Sequence, residues 1–303
     1  MSDERRRFRS SGGELSYLDV GEGSPVLLLH GFPTSSLLWR REAALLSARM
    51  RVLAPDLLGY GESDRSVTAD LSPVAQARYV RELLADLAIR ELAVVGHDIG
   101  GAVAMLLALE GGVKTMVLLD TACFDAWPVD PVRGLQRVTP EEETPARMEE
   151  SVRLVFDRGM MRERPLAESM LRSFLDPWAS EPDAFFRAAR GIDGRGLAGR
   201  ERELSSLESS TFIVWGEEDP FLPKDLAERL GESIPGSTVA LLPGCSHFVS
   251  LDAPETVGPM IFEFLRYRYL GESHRHTSPE PVPVFLERPG DRFLEPDPKE
   301  AEG

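Results

Sequence analysis

The residues of this chain that could do covalent chemistry fall in three short motifs. The first is Gly96-His97-Asp98-Ile99-Gly100-Gly101, between the apolar runs Leu92 to Val95 and Ala102 to Leu109. A strand, a sharp turn and a helix form a nucleophile elbow, G-x-nucleophile-x-G, with aspartate where serine usually stands. Glycine permits the turn, and a helix N-terminus favours an anion there. An aspartate that merely caps the helix is the plainer alternative. Glycines on both sides, with a strand before and a helix after, favour the elbow. The second motif is His30-Gly31-Phe32-Pro33, which ends the apolar run Val26 to Leu29. Such a loop supplies one backbone N–H of an oxyanion hole, and the residue after the nucleophile supplies the other, so Phe32 and Ile99 are the expected donors. The third is Gly244-Cys245-Ser246-His247-Phe248, just after the last strand-like run. His247 is the expected base. An acid to orient it should lie at a strand end between Asp98 and His247. Asp219, in Trp215-Gly216-Glu217-Glu218-Asp219-Pro220, is preferred because its loop is nearest the histidine in sequence. Asp120, ending Met116 to Leu119, is the rival.

These motifs need a scaffold that brings loop ends together. Short apolar runs (Val26 to Leu29, Val52 to Ala54, Leu92 to Val95, Met116 to Leu119, Thr211 to Trp215, Thr238 to Leu242) alternate with helix-like stretches. That rhythm predicts an α/β fold, a mostly parallel sheet covered on both faces. Gly13 to Gly23 alternates and reads as an antiparallel edge strand. From about Phe124 to Ser210 no strand-like run occurs, and amphipathic stretches take over. The expected organisation is a core of 1–123 and 211–270, a helical cap at 124–210 inserted before the acid-bearing strand, and a Pro-rich tail at 271–303, extended or disordered. His274 and His276 lie in that tail and read as solvated rather than as metal ligands.

Composition limits the partners. The chain has 303 residues, 34 Lys+Arg and 50 Asp+Glu, for a net charge of −16. So acidic a chain is poorly suited to nucleic acid or to an anionic membrane. No stretch of about 18 apolar residues spans a bilayer, and MSDERRRFRS has no apolar core of a secretory signal. Two cysteines, Cys123 and Cys245, form no CxxC pair and suit a reducing cytoplasm. No phosphate-binding GxxxxGK[ST] occurs, and neither a cofactor nor a metal is expected. Asn is absent and Gln occurs twice, which fits heat adaptation, while Arg in excess of Lys also follows from a GC-rich genome.

Together, HGFPTSSLLWR, DLLGYGESD, VVGHDIGGAVA, WGEEDP and GCSHF resemble, in type and order, the α/β-hydrolase fold superfamily. The resemblance is to its Asp-nucleophile branch of haloalkane dehalogenases, haloacetate dehalogenases and epoxide hydrolases, and spans about residues 13–270. It implies that Asp98 attacks an sp³ carbon to form an ester, which a His247-activated water hydrolyses. The groups that hold the leaving atom match no subgroup. Haloalkane dehalogenases usually carry Trp after the nucleophile and Asn in the oxyanion loop or Trp in the cap; here those positions are Ile99 and Phe32. Haloacetate dehalogenases carry Arg where Ile99 stands. Epoxide hydrolases use cap Tyr or His as acids, and all five of each lie outside 124–210. The cap does hold Trp127 and Trp178, whose indole N–H groups donate without acidity and suit a halide. They join Phe32 and Ile99 as the expected oxyanion and halide donors, with His30, Phe124 and Phe248 as further pocket residues. A dehalogenase of small, neutral, apolar halogenated compounds leads. Epoxide hydrolase is the alternative; other ester hydrolysis, or a scaffold that only binds a small molecule, follows.

Overall fold

A computed structural model of the chain describes residues 5–272. Eight strands form one sheet in the order β1-β2-β4-β3-β5-β6-β7-β8. They are β1 (Arg5–Arg9), β2 (Glu14–Val20), β3 (Pro25–Leu29), β4 (Arg51–Pro55), β5 (Leu92–Asp98), β6 (Val113–Thr121), β7 (Ser210–Gly216) and β8 (Thr238–Leu242). The first two pairings, β1 with β2 and β2 with β4, are antiparallel; from β4 to β8 every pair is parallel. Unbroken apolar runs form the inner strands because helices cover both faces and no position alternates outward. Val26, Leu27, Leu28 and Leu29 are all fully buried, as are Ala93, Val94 and Val95.

The edge differs from the expectation. Glu14–Val20 is antiparallel but lies second, and Arg5–Arg9 lies outside it. Three consecutive arginines conceal a strand from any hydrophobic pattern. Charge is also what an exposed sheet edge tolerates. Ion pairs hold it in place: Arg5 Nη1 lies 2.8 Å from Asp56 Oδ2, and Arg6 Nη1 3.0 Å from Asp19 Oδ2.

The helices are α1 (Arg40–Leu46), α2 (Pro73–Asp86), α3 (Ile99–Glu110), α4 (Asp130–Gln136), α5 (Pro145–Gly159), α6 (Glu168–Ala179), α7 (Pro182–Gly191), α8 (Glu201–Leu204), α9 (Asp225–Ser233), α10 (Val249–Asp252) and α11 (Pro254–Arg268). Ser72 caps α2 by accepting from the Ala75 N–H, with Pro73 at the first turn. Between β6 and β7 the chain passes through α4 to α8 and forms no strand. Met148, Val152 and Phe156 of α5 are buried at helical spacing, as are Met170, Leu171, Phe174 and Trp178 of α6. No helix among the described residues is long and apolar enough to cross a membrane. Of the 271–303 tail, everything from residue 273, including His274 and His276, lies outside the described residues.

Parallel strands all end on one side. Leu29 is level with Gly96, Asp98 with Thr121, and Gly216 with Leu242. The loops that follow β3, β5, β6, β7 and β8 therefore meet at the carboxyl edge of the sheet, where open α/β sheets gather their functional groups.

Candidate active site

Asp98 sits where β5 gives way to α3, at φ 53° and ψ −123°. A non-glycine residue there stores roughly 1–3 kcal/mol of backbone strain. Close packing enforces it. A Cβ on Gly100 would stand 2.2 Å from the Leu29 carbonyl, and one on Gly31 would stand 2.4 Å from Asp98 Cβ. Only glycine lets the elbow press against the end of β3.

The Asp98 carboxylate is held by backbone. Its Oδ1 accepts from the Phe32 N–H at 2.9 Å, and the adjacent Ile99 N–H favours the charged form. Burial raises the Asp98 pKa; the nearby His247 and these two N–H groups oppose the rise. The Phe32 N–H thus serves the aspartate's own oxygen and is not free for a departing atom. Oδ2 points toward His247, 3.9 Å from Nε2.

His247 is 3% exposed, and its Nδ1 lies 2.9 Å from Asp219 Oδ2. A carboxylate at Nδ1 places the proton there and leaves the Nε2 lone pair facing Asp98. Burial lowers the His247 pKa, but the negative charges of Asp219 and Asp98 outweigh it and the net shift is upward. The other Asp219 oxygen, Oδ1, accepts from the N–H groups of Phe221 (2.8 Å) and Leu222 (3.0 Å). Asp219, rather than Asp120, therefore meets the imidazole. Asp120 is fully buried nearby, with Oδ1 accepting from the Gly216 N–H at 2.9 Å.

Over Asp98 and His247 lies a cavity of about 40 Å³. It is a narrow slot. Phe32, Ile99, Val132, Leu135, Val155 and Phe221 are among its walls, with α4 and the turn before it forming one side. Apart from Asp98 and His247, its one polar side chain is Trp127, whose buried Nε1–H has no partner.

Four expected pocket residues lie elsewhere. Trp178 is 5.6 Å from Tyr60 and 5.7 Å from Phe185 between ring centres, inside the helical packing and outside the cavity wall. His30 is fully buried: its Nε2 accepts from the Leu57 N–H at 2.9 Å, and its Nδ1 donates to the Gly31 carbonyl at 3.0 Å. It ties the β3 loop to the β4 loop. Phe124 lies under the Arg229 guanidinium, 4.1 Å from ring centre to Cζ. Phe248 packs against His97, Phe156 and His247 and supports the base from behind. Aromatic character in the sequence was common to all of them; which side of a helix or loop faces the slot was not visible there.

Two residues of the site were not anticipated. His97, before Asp98, donates from Nε2 to the His247 carbonyl at 3.0 Å. Burial holds its pKa well below the usual value, so it is neutral. Tyr60 lies outside 124–210 yet packs against His30, Phe32 and Trp178, with its hydroxyl buried and unpartnered. Its position after the Gly59 turn of DLLGYGESD was the only available signal.

Known proteins agree with this layout. A family model described as alpha/beta hydrolase fold matches residues 24–254. Haloalkane dehalogenase 2 of Mycobacterium tuberculosis is 32% identical over 278 residues, covering 86% of this chain and 94% of that protein. The 2-hydroxymuconate semialdehyde hydrolase of a Pseudomonas strain is 27% identical over 267 residues, covering 86% and 93%. Among solved structures, the meta-cleavage product hydrolase of Pseudomonas fluorescens IP01 superposes with a TM-score of 0.74 at 25% identity, covering 86% and 97%. The matched span runs from β3 past the His247 loop and includes every strand-end loop of the site. The chain belongs to the α/β-hydrolase fold family and is an α/β-hydrolase.

Proposed function

We propose that this hydrolase uses Asp98 as a nucleophile on small, neutral, apolar halogenated compounds, with the 124–210 helices as the cap over its slot. One observation carries the reading: at the elbow stands a carboxylate with one oxygen held by the Phe32 N–H and the other facing a histidine base. Oδ2 of Asp98 attacks the carbon, the new C–O bond forms, and the halide leaves with the C–X electron pair. The Trp127 Nε1–H is the donor available to the halide. His247 Nε2 then takes a proton from water, whose oxygen attacks Cγ of the ester. Negative charge gathers on Oδ1, where the Phe32 N–H already lies and the Ile99 N–H is the expected second donor. Collapse releases the alcohol, which receives the proton from His247; the Asp98 carboxyl, which now carries the water's oxygen and its other proton, gives that proton up to solvent through His247 and returns to the carboxylate. Asp219 steadies the imidazolium throughout. Water and substrate are the only small molecules this cycle requires.

The named relatives support more than one substrate class, and the elbow separates them. A hydroxyl nucleophile suits carbonyl substrates, whereas a carboxylate suits an sp³ carbon. Epoxide opening by the same carboxylate needs an acid for the alkoxide. Apart from His247 the slot wall holds no Tyr or His, and Tyr60, whose ring packs against Phe32, is not part of it. Halide displacement is therefore preferred.

The test is a trap. His247→Gln should still be alkylated at Asp98 but should not hydrolyse the ester. Intact-mass and peptide mass spectrometry after incubation with small haloalkanes should show a stable adduct on Asp98. No adduct with any of a panel of halides and epoxides would remove the covalent reading. Diol formation without halide release by the unaltered enzyme would reassign it to epoxides.

A further inference from the structure

The acid side of the site contains one carboxyl too many. Asp120 is the last residue but one of β6, at φ 37°, and Asp219 follows β7, so the pairing of those strands brings both to the carboxyl edge of the sheet. The Asp120 residue and the Asp219 side chain are both fully shielded from solvent. Asp120 Oδ1 is satisfied by the Gly216 N–H. Its Oδ2 finds no N–H or O–H donor. Both residues meet at one glycine: the Gly216 N–H donates to Asp120 Oδ1 at 2.9 Å and the Gly216 carbonyl accepts from the Asp219 N–H at 3.3 Å, so the carboxyls are neighbours and Asp120 feels the Asp219 charge. Asp219 meanwhile needs its charge, because Oδ2 faces the His247 Nδ1–H and Oδ1 faces two backbone N–H groups. Two ionised carboxylates in a dry interior repel strongly, and carboxyls that share a site relieve this by keeping one proton.

We infer that Asp120 carries that proton and donates it to Asp219, extending the site to a His247–Asp219–Asp120 chain in which Asp120 is a positioning residue. The proton on Oδ2 turns the orphaned acceptor into a donor. It leaves the negative charge on Asp219, where the imidazolium needs it, and fixes the carboxylate plane. The surroundings agree: burial, then the charges of Asp219 and Asp252, keep Asp120 protonated well above the usual carboxylate range, against the pull of the Gly216 N–H. Cys245 is the remaining titratable neighbour that senses Asp120, and burial pushes its thiol up to about 11, so it stays neutral. The inference rests on Asp219 acting on His247 as proposed above.

Infrared difference spectroscopy tests it without a substrate. At pH 8, wild type minus Asp120→Asn should show the C=O stretch of a protonated carboxylic acid. Finding only carboxylate bands would overturn the inference. Kinetics give the second arm. Asparagine presents an N–H where the acid presented its O–H, so Asp120→Asn should keep kcat within about threefold. Asp120→Leu, which donates nothing, should lose about tenfold in kcat with KM unchanged, the worth of one hydrogen bond to a charged group. An Asn variant as impaired as Leu would show that the carboxylate charge of Asp120, not its proton, is used. Should Asp120→Leu fail to fold, the spectrum and the Asn variant still decide. Failure of Asp98 to be alkylated in His247→Gln would undo the nucleophile reading and leave the acid band in place, so the two failures are distinguishable.

Discussion

At the scale of single residues, electrostatics and donors decide the chemistry. Trp127 offers the one unpartnered side-chain donor in the slot wall among the described residues. Trp127→Phe removes it and keeps an aromatic ring, so halide release should fall roughly a hundredfold, the usual effect of deleting a donor aimed at developing charge. Trp178→Phe should act on thermal stability first, because that ring packs on Tyr60 and Phe185. The pH dependence follows from His247. Its pKa in the free enzyme lies above the ordinary 6.5, since the charges of Asp219 and Asp98 outweigh burial. A base must be neutral, so ester hydrolysis slows as pH falls through that pKa. In the proposed alkylated intermediate Asp98 would be an uncharged ester and would no longer pull on the imidazole. The acid limb of the hydrolysis step, read in single-turnover experiments, should therefore lie at lower pH than the His247 titration read by NMR in the free enzyme. Coincident values would show that the Asp98 charge does not reach His247.

At the scale of elements, the site depends on how tightly α3 enters the sheet. The Cβ in Gly100→Ala would meet the Leu29 and His30 carbonyls at 2.2 and 2.5 Å, and neither backbone oxygen can give way without moving β3. Destabilisation of about 3 kcal/mol in a denaturant melt is expected, at the upper end for overpacking. Gly134 in α4 is the contrast: its added Cβ would meet nothing within 4 Å. Gly134→Ala should stabilise by about 0.5–1 kcal/mol through helix propensity. The same melts with Gly100→Ala and Gly134→Ala changing stability alike would refute this reading of the elbow. Asp56 performs a related service, accepting from the N–H groups of Ser36 (2.7 Å) and Glu62 (2.8 Å) and pairing with Arg5, so that β1, the β3 loop and the β4 loop are locked together.

At the scale of the whole molecule, Glu42 adds a pH dependence of stability to that of the buried site carboxyls Asp98 and Asp120, and it can be isolated by substitution because it lies outside the site. Glu42 of α1 is 1% exposed, and both its oxygens are buried without partners. Burial raises its pKa from 4.5 to about 7. A folded-state pKa above the unfolded one means the native protein binds the extra proton between those values, so stability is full below pH 4.5 and declines as pH rises through about 7. The loss at pH 8 is on the order of 3 kcal/mol by the usual conversion of a pKa shift. Glu42→Leu should raise the melting temperature at pH 8 and have a much smaller effect near pH 5. An equal effect at both would show that Glu42 is not charged at pH 8.

Much was legible in the sequence because it is local. The inner strands announce themselves by unbroken apolar runs, and the elbow by glycines on both sides of Asp98 between a strand and a helix. Asp98, Phe32, Ile99, His247 and Asp219 come from motifs in which the neighbours along the chain dictate the conformation. What stayed hidden depends on contacts between segments far apart. The edge strand Arg5–Arg9 is held by Asp56 and Asp19, and its own residues carry no strand pattern. Trp127 and Trp178 are the same residue type within one helical segment, yet packing turns only the first toward the slot. Phe124, Phe248 and His30 likewise became supports rather than walls. The partnership of Asp120 with Asp219 requires β6 beside β7, and no spacing along the chain records that pairing. Local sequence determined the backbone's turns and the reactive groups at them. Only the tertiary structure decided which side chains face the same small volume, because that choice is made by long-range packing that a one-dimensional pattern does not contain.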